Sequence, residues 1–125
     1  ARDAKRIADV SQVRTAAELY FDDAGTYPQS LTFVGLGTLL VPKYMTQIPT
    51  DTLNAGNYSY RYGFNGITRY HIWAELEQPA GALKSDADIN STAGGWTGQL
   101  VDGADGGGTL CTTTAVDCEY DQGQN

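Results

Sequence analysis

Residues 58–77 read YSYRYGFNGITRYHIWAELE, and this stretch decides the fold class. Tyr58, Tyr60, Tyr62 and Phe64 alternate with Ser59, Arg61 and Gly63. Period-two alternation marks a strand with two unlike faces. After Asn65-Gly66 a second run extends from Ile67 to Glu77, with Tyr70, Ile72, Ala74 and Leu76 on one face. Arg69, His71, Trp73, Glu75 and Glu77 share the other face, and Pro79 ends the run. Asn-Gly between two alternating runs predicts a type I′ turn, whose two central residues both need positive φ. The expected element is a β-hairpin, apolar and aromatic on one face and charged on the other.

Such an apolar face needs a partner, and residues 1–24 supply one. Ile7, Val10, Val13, Ala17, Tyr20 and Ala24 recur at spacings of three and four, the period of a helix face. Ala4, Ala8, Ala16 and Leu19 widen that face, while Arg2, Asp3, Lys5, Arg6, Asp9, Arg14 and Glu18 give a mixed-charge outer side. Arg14 and Glu18, at i and i+4, predict a surface pair worth ~0.3 kcal/mol. Asp22-Asp23, Gly25 and Pro28 form a stop signal. The start carries no cap: Ala1-Arg2-Asp3-Ala4 is helical at once, so the helix is expected to continue upstream. Leu31–Val41 fits either a strand or one or two helical turns, and Pro42, Pro49 and Thr50-Asp51-Thr52 mark loops.

Beyond residue 80 the periodicity dissolves. Seven of the chain's 15 glycines lie between Gly94 and Gly108, with Asp86, Asp88, Asp102 and Asp105 among and before them. Trp96 and Leu100-Val101 are the expected anchors of this long loop on the sheet, and a short strand is expected around Val116–Tyr120. The chain of 125 residues reads as a single α+β domain: helix 1–24, hairpin 58–77, variable loop and tail 80–125.

Eight Lys and Arg against 15 Asp and Glu give a net charge of −7. Residues 1–62 carry six of each sign and residues 63–125 two basic and nine acidic, so the imbalance lies wholly in the second half. An acidic chain without a basic stripe is poorly suited to bind nucleic acid or an anionic membrane directly. No run reaches the ~18 apolar residues that span a bilayer, and no signal-peptide pattern is present. The expectation is a soluble domain.

Candidate chemistry is sparse. Cys111 and Cys118 predict a disulfide closing a short loop, worth roughly 2.5 kcal/mol by loop-closure entropy, and hence an oxidising compartment and export. A zinc or redox pair lacks a C-x-x-C spacing and a second set of ligands. His71, the only histidine, reads as a partly exposed strand residue. Cys111 as a nucleophile has no local base, Glu75 and Glu77 read as a solvated pair, and Gly106-Gly107-Gly108 precedes no helix that would make a phosphate loop. The sequence therefore predicts no catalytic residue. Tyr58, Tyr60, Tyr62, Phe64 and Tyr70 fit either core packing on the helix or a sugar-stacking platform of a secreted carbohydrate-binding module. Asp86-Ala87-Asp88-Ile89-Asn90 has the alternation of a calcium loop, which Asp102 and Asp105 would complete. It lacks the glycine and the bidentate glutamate of an EF-hand, and a solvated acidic loop is the other reading.

Ala-Arg-Asp-Ala-Lys-Arg-Ile-Ala-Asp-Val (1–10), Leu19-Tyr20-Phe21 and Gly25-Thr26-Tyr27-Pro28 together resemble the segment after the hydrophobic stem of bacterial type IV pilins and type II secretion pseudopilins. Val41-Pro42-Lys43-Tyr44, Ile48-Pro49-Thr50-Asp51, Tyr58-Ser59-Tyr60 and Tyr70–Glu77 are similar to that family's loop and first strands, in order, over roughly residues 1–90. The resemblance implies a pilin-like fold and a structural subunit. It would assemble through its N-terminal helix with itself, other pilins and an assembly platform, and be anchored in the inner membrane before assembly only through a stem upstream of Ala1. The mature subunit would lie in a cell-surface filament, with a secretion pseudopilin or minor pilin as the alternative. Arg2, Lys5, Arg6, Asp9 and Arg14 are the expected subunit contacts, charge complementarity setting register. Asp86-Ala87-Asp88-Ile89 and Gly103-Ala104-Asp105-Gly106 are similar to the acidic calcium loop of major pseudopilins. The surrounding Gly insert and the cysteine-closed tail depart from that loop and favour a pilus subunit.

Overall fold

A computed structural model describes residues 2–55, 58–77, 87, 89–92, 94–100 and 119–124. Helix α1 spans Arg2–Ala24 and a short α2 spans Leu36–Leu40. The strands are β1 (Arg61–Asn65), β2 (Arg69–Glu75), β3 (Thr97–Gly98) and β4 (Glu119–Gln124). They form one antiparallel sheet in the order β3-β1-β2-β4. The α+β expectation holds: one long helix lies against an antiparallel sheet.

The helix ends where its sequence says it should. Gly25 takes φ +77° and its N–H closes back on the Phe21 carbonyl at 2.8 Å, a left-handed cap that a side chain would strain. Within Leu31–Val41 the helical alternative wins. Leu36 and Leu40, one turn apart, are both fully buried and join α1 in the core.

The hairpin turn differs from expectation. Asn65 pairs with Arg69, so Gly66–Thr68 make a three-residue connection, and only Gly66 of the Asn65-Gly66 pair has positive φ, +61°. The reason is register. A two-residue turn would set Tyr62 opposite Arg69, whereas the observed pairing sets Tyr62 opposite Ile72 and Phe64 opposite Tyr70. A one-residue slip would turn one strand's apolar set away from the other's. Burial of both sets against α1 therefore overrides the local turn preference.

The core joins Val10, Val13, Ala16 and Ala17 of α1 to Tyr60, Tyr62, Tyr70, Ile72, Ala74 and Tyr120 across the sheet. The tyrosine hydroxyls reach polar atoms at its rim. Tyr70 and Tyr27 donate to Glu18 at 2.8 and 3.0 Å, Tyr60 to Asp9 at 2.6 Å, and Tyr62 to the Pro28 carbonyl at 2.6 Å. Glu18, expected on the surface beside Arg14, instead anchors two aromatic rings. The sugar-stacking platform is likewise absent from these positions: Tyr60, Tyr62 and Tyr70 are buried.

The second face of the sheet is also covered. His71, Trp73 and Glu75, expected on a charged and partly exposed face, are each less than a tenth exposed. The segment containing Ile89, Ser91, Trp96 and Gln99 lies over this face. Gln99 stitches it to β1 through N–H to the Tyr62 carbonyl at 2.9 Å and Oε1 from Tyr62 N at 3.1 Å. The same Oε1 accepts from Phe33 N at 2.9 Å, and the Gln99 carbonyl accepts from Trp73 Nε1 at 3.3 Å. Trp96 is an anchor as expected, packing edge-on to His71, whereas Leu100 lies beside Gly63 but is 37% exposed. Val101 and residues 116–118 lie outside the described residues, and the C-terminal strand runs on to Gln124.

Candidate functional site

The charged start of α1 is where the sequence places subunit contacts, and the structure divides its residues. Arg6 is fully buried. Its Nε and Nη2 grip both oxygens of Asp51 at 2.8 and 3.0 Å, and its Nη1 reaches Asp3 at 2.8 Å and Glu77 at 2.6 Å. The Tyr58 ring lies 5.0 Å from the guanidinium carbon. Asp9 faces inward as well, accepting from Tyr60 and, at 2.5 Å, from Lys5. Arg6 and Asp9 therefore cannot belong to an outward contact surface: they tie the helix to its own domain. Arg2, Lys5 and Arg14 stay accessible. Arg2 forms a two-point pair with Glu77 at 2.6 Å, and Lys5 also donates to the Thr50 carbonyl at 3.2 Å.

This geometry sets the charge states. Burial disfavours the Arg6 cation, but the hydrogen bonds it donates to Asp51, Glu77 and Asp3 outweigh it and raise the Arg6 pKa. Glu77 is lowered to about 2, chiefly by its hydrogen bonds from Arg2 and then Arg6. Burial, reinforced by Glu18, pushes the Tyr27 phenol up to about 12. Planar two-point recognition of Asp51 is a task for which lysine is no substitute.

On the opposite face of the sheet, His71 of β2 links Ser91 and Asp121. Nδ1 lies 3.0 Å from Ser91 Oγ and Nε2 lies 2.7 Å from Asp121 Oδ2. Asp121 Oδ2 also accepts from Ile89 N at 2.7 Å, and the Asp121 carbonyl accepts from Ala87 N at 3.0 Å. A serine, histidine and carboxylate in line is the order that activates a nucleophile in hydrolases. Here all three side chains have zero exposure, so the serine oxygen is enclosed. The arrangement works as a tie: β2, β4 and segment 89–92 meet at one imidazole. Sequence reading missed it because the three residues are 20 and 50 positions apart. The one available signal is that His71 sits between Tyr70 and Ile72 in a strand with covering sequence still to come.

Of the calcium candidates only Asn90 is described; Asp86, Asp88, Asp102 and Asp105 lie outside the described residues, as do Cys111 and Cys118. Asn90 Oδ1 accepts from Thr92 N and Thr92 Oγ1 at 2.9 and 2.5 Å. Among the described residues no group of three or more His, Cys, Asp or Glu side chains is placed to hold a metal ion. No described helix is long and apolar enough to cross a membrane. Two hollows are present among the described residues, of which only the first touches α1. One of about 360 Å³ lies between Lys5, Asp9 and Gln12 and residues 46–50, and one of about 290 Å³ lies between Val34, Asn54 and Tyr60. The titratable groups lining them are already engaged: Lys5 and Tyr60 with Asp9, and Asp51 with Arg6. Comparison with known proteins yields no matching family model, no matching curated protein and no matching solved structure.

Proposed function

We propose that this chain is the globular part of a filament-forming subunit of the type IV pilin kind, a structural protein of the cell surface. The observation that carries the reading is the disposition of α1. Its inner side is fixed to the domain along its whole length, by ions over the first turns and by apolar packing from Val10 onward. Its outer flank, with Ala4, Ala8, Gln12, Arg14, Thr15 and Leu19, is left exposed. A rigidly held helix with an open, mixed-polarity flank is suited to pack against other helices in an assembly. The order of elements supports the same reading: helix, short helical loop, antiparallel sheet, then a covering segment that returns to the sheet edge. Arg2, Lys5 and Arg14 are the charged contacts this reading retains.

The test uses the full-length gene product in its own host, carrying Ala8→Cys on the open flank. Fibres sheared from the cell surface are expected to label with an antibody to this domain, and mild oxidation is expected to give a ladder of covalent multimers through that cysteine. A chain recovered only as monomer, with no labelled fibres, overturns the proposal.

A further inference from the structure

Residues 89–92 cross the outer side of β2 with alternate side chains in and out. Ile89 and Ser91 are buried, Asn90 and Thr92 exposed. The inward pair is fixed by the bond from Ile89 N to Asp121 and by Ser91 Oγ against His71. The outward pair is joined: the Thr92 hydroxyl and amide both donate to the Asn90 carboxamide oxygen. Asn90-Ser91-Thr92 is an Asn-x-Thr triplet without proline, the acceptor pattern for N-linked glycans. We propose that Asn90 is an N-glycosylation site, presented on the folded surface by the Ser91–His71–Asp121 tie beneath it.

Three observations separate this triplet from a chance match. The two side chains that transfer needs, the amide and the hydroxyl, stand side by side in solvent while the residue between them is anchored. The Asn90 Nδ2 makes no hydrogen bond among the described residues. In sequence, Asp88 precedes Asn90 by two, an acidic position that the other triplet lacks. The chain's other acceptor triplet, Asn57-Tyr58-Ser59, is the internal contrast. Its serine is half-buried, its hydroxyl accepts from Arg61 Nε at 3.3 Å, and Ala55 occupies the equivalent upstream position.

The donor class is an oligosaccharide linked to a polyprenyl diphosphate, brought by an oligosaccharyl transferase. Asn90 Nδ2 attacks the anomeric carbon, a C–N bond forms, the C–O bond to the diphosphate breaks, and polyprenyl diphosphate leaves. One amide proton passes to a base of the transferase. The modification adds a bulky polar group on the sheet face opposite α1, so it leaves the helix flank clear. The inference does not depend on the filament reading.

The experiment incubates the folded full-length chain with a bacterial single-chain oligosaccharyl transferase and its polyprenyl-diphosphate-linked oligosaccharide. Intact mass and peptide mapping are the readouts. The expected result is a gain of one oligosaccharide, on the peptide containing Asn90. Asn90→Gln and Thr92→Ala are expected to lose the transfer, Thr92→Ser to keep it, and Asn57→Gln to leave it unchanged. Both abolishing variants alter exposed side chains, so an unchanged unfolding midpoint separates loss of acceptor from loss of fold. Transfer to Asn57 instead, undiminished transfer in Thr92→Ala, transfer only after denaturation, or no transfer to either form each overturn the proposal.

Discussion

Tyr70, Ile72 and Ala74 on one face of β2, and His71, Trp73 and Glu75 on the other, are all less than a tenth exposed. The first set meets hydrocarbon and aromatic rings from α1, α2 and β1. The second meets Ser91, Asp121, Gln99 and Trp96 through hydrogen bonds and ring edges. Strands buried on both sides usually read as continuous apolar runs. Here the alternation survives because one cover is apolar and the other polar. Period two reports the chemistry of what lies over a strand, and it does not report whether anything lies there.

The difference has energetic content. Burying apolar area is non-directional, whereas a buried polar tie holds only while each donor and acceptor keeps its partner. Ile72→Ala, on the apolar face, is expected to lower global stability by about 4 kcal/mol, as large-to-small core changes do. The urea midpoint should fall together for tyrosine fluorescence and far-ultraviolet circular dichroism. A loss below about 1 kcal/mol would mean this face is not the load-carrying one.

Arg6→Met comes next. It leaves the buried Asp51 carboxylate without its cation, at a cost of about 3 kcal/mol. Because α1 from Val10 onward keeps its apolar contacts, hydrogen exchange should quicken first at residues 3–9 and less at residues 13–20. Uniform loss of protection along α1 would show that the ionic and apolar parts of the helix do not open separately.

These two substitutions also mark what was legible. The amphipathic stripe at Val10, Val13 and Ala17 and the alternation at Tyr60–Ala74 could be read because apolar side chains declare their own partners by period. Arg6 and Asp9 lie on the same stripe, one turn before Val10 and Val13, yet charge type argued for solvent. Their partners Asp51, Glu77 and Tyr60 come from segments 45 to 71 residues away, and no local pattern records such a meeting. The hairpin turn shows the converse. Asn65-Gly66 is a strong local signal, but the pairing of Tyr62 with Ile72 needed an odd-numbered turn, and burial decided. Ser91, His71 and Asp121 were invisible one by one, since each is unremarkable without the other two.

His71→Phe tests the polar face directly. It leaves Ser91 and Asp121 short of a partner, and about 2 kcal/mol of destabilisation is expected. The location matters more than the size. Amide exchange at Ile89 and Ser91 should quicken while Val13 and Ala17 in α1 stay protected. If both substitutions loosen the same amides, the two faces form one cooperative unit and the contrast between them is only chemical.

Acid separates the ionic start of α1 from both faces. Glu77 has its pKa lowered from 4.5 to about 2 by Arg2 and Arg6, so over that interval the unfolded chain binds a proton that the folded chain does not. Its contribution is complete above about pH 4.5 and is lost as pH falls through about pH 2. Glu77→Gln should therefore flatten the decline in urea midpoint across that window and lower the midpoint modestly at neutral pH, since its partner Arg2 is half-exposed. An acid decline of the same steepness with and without Glu77 would place the acid sensitivity elsewhere.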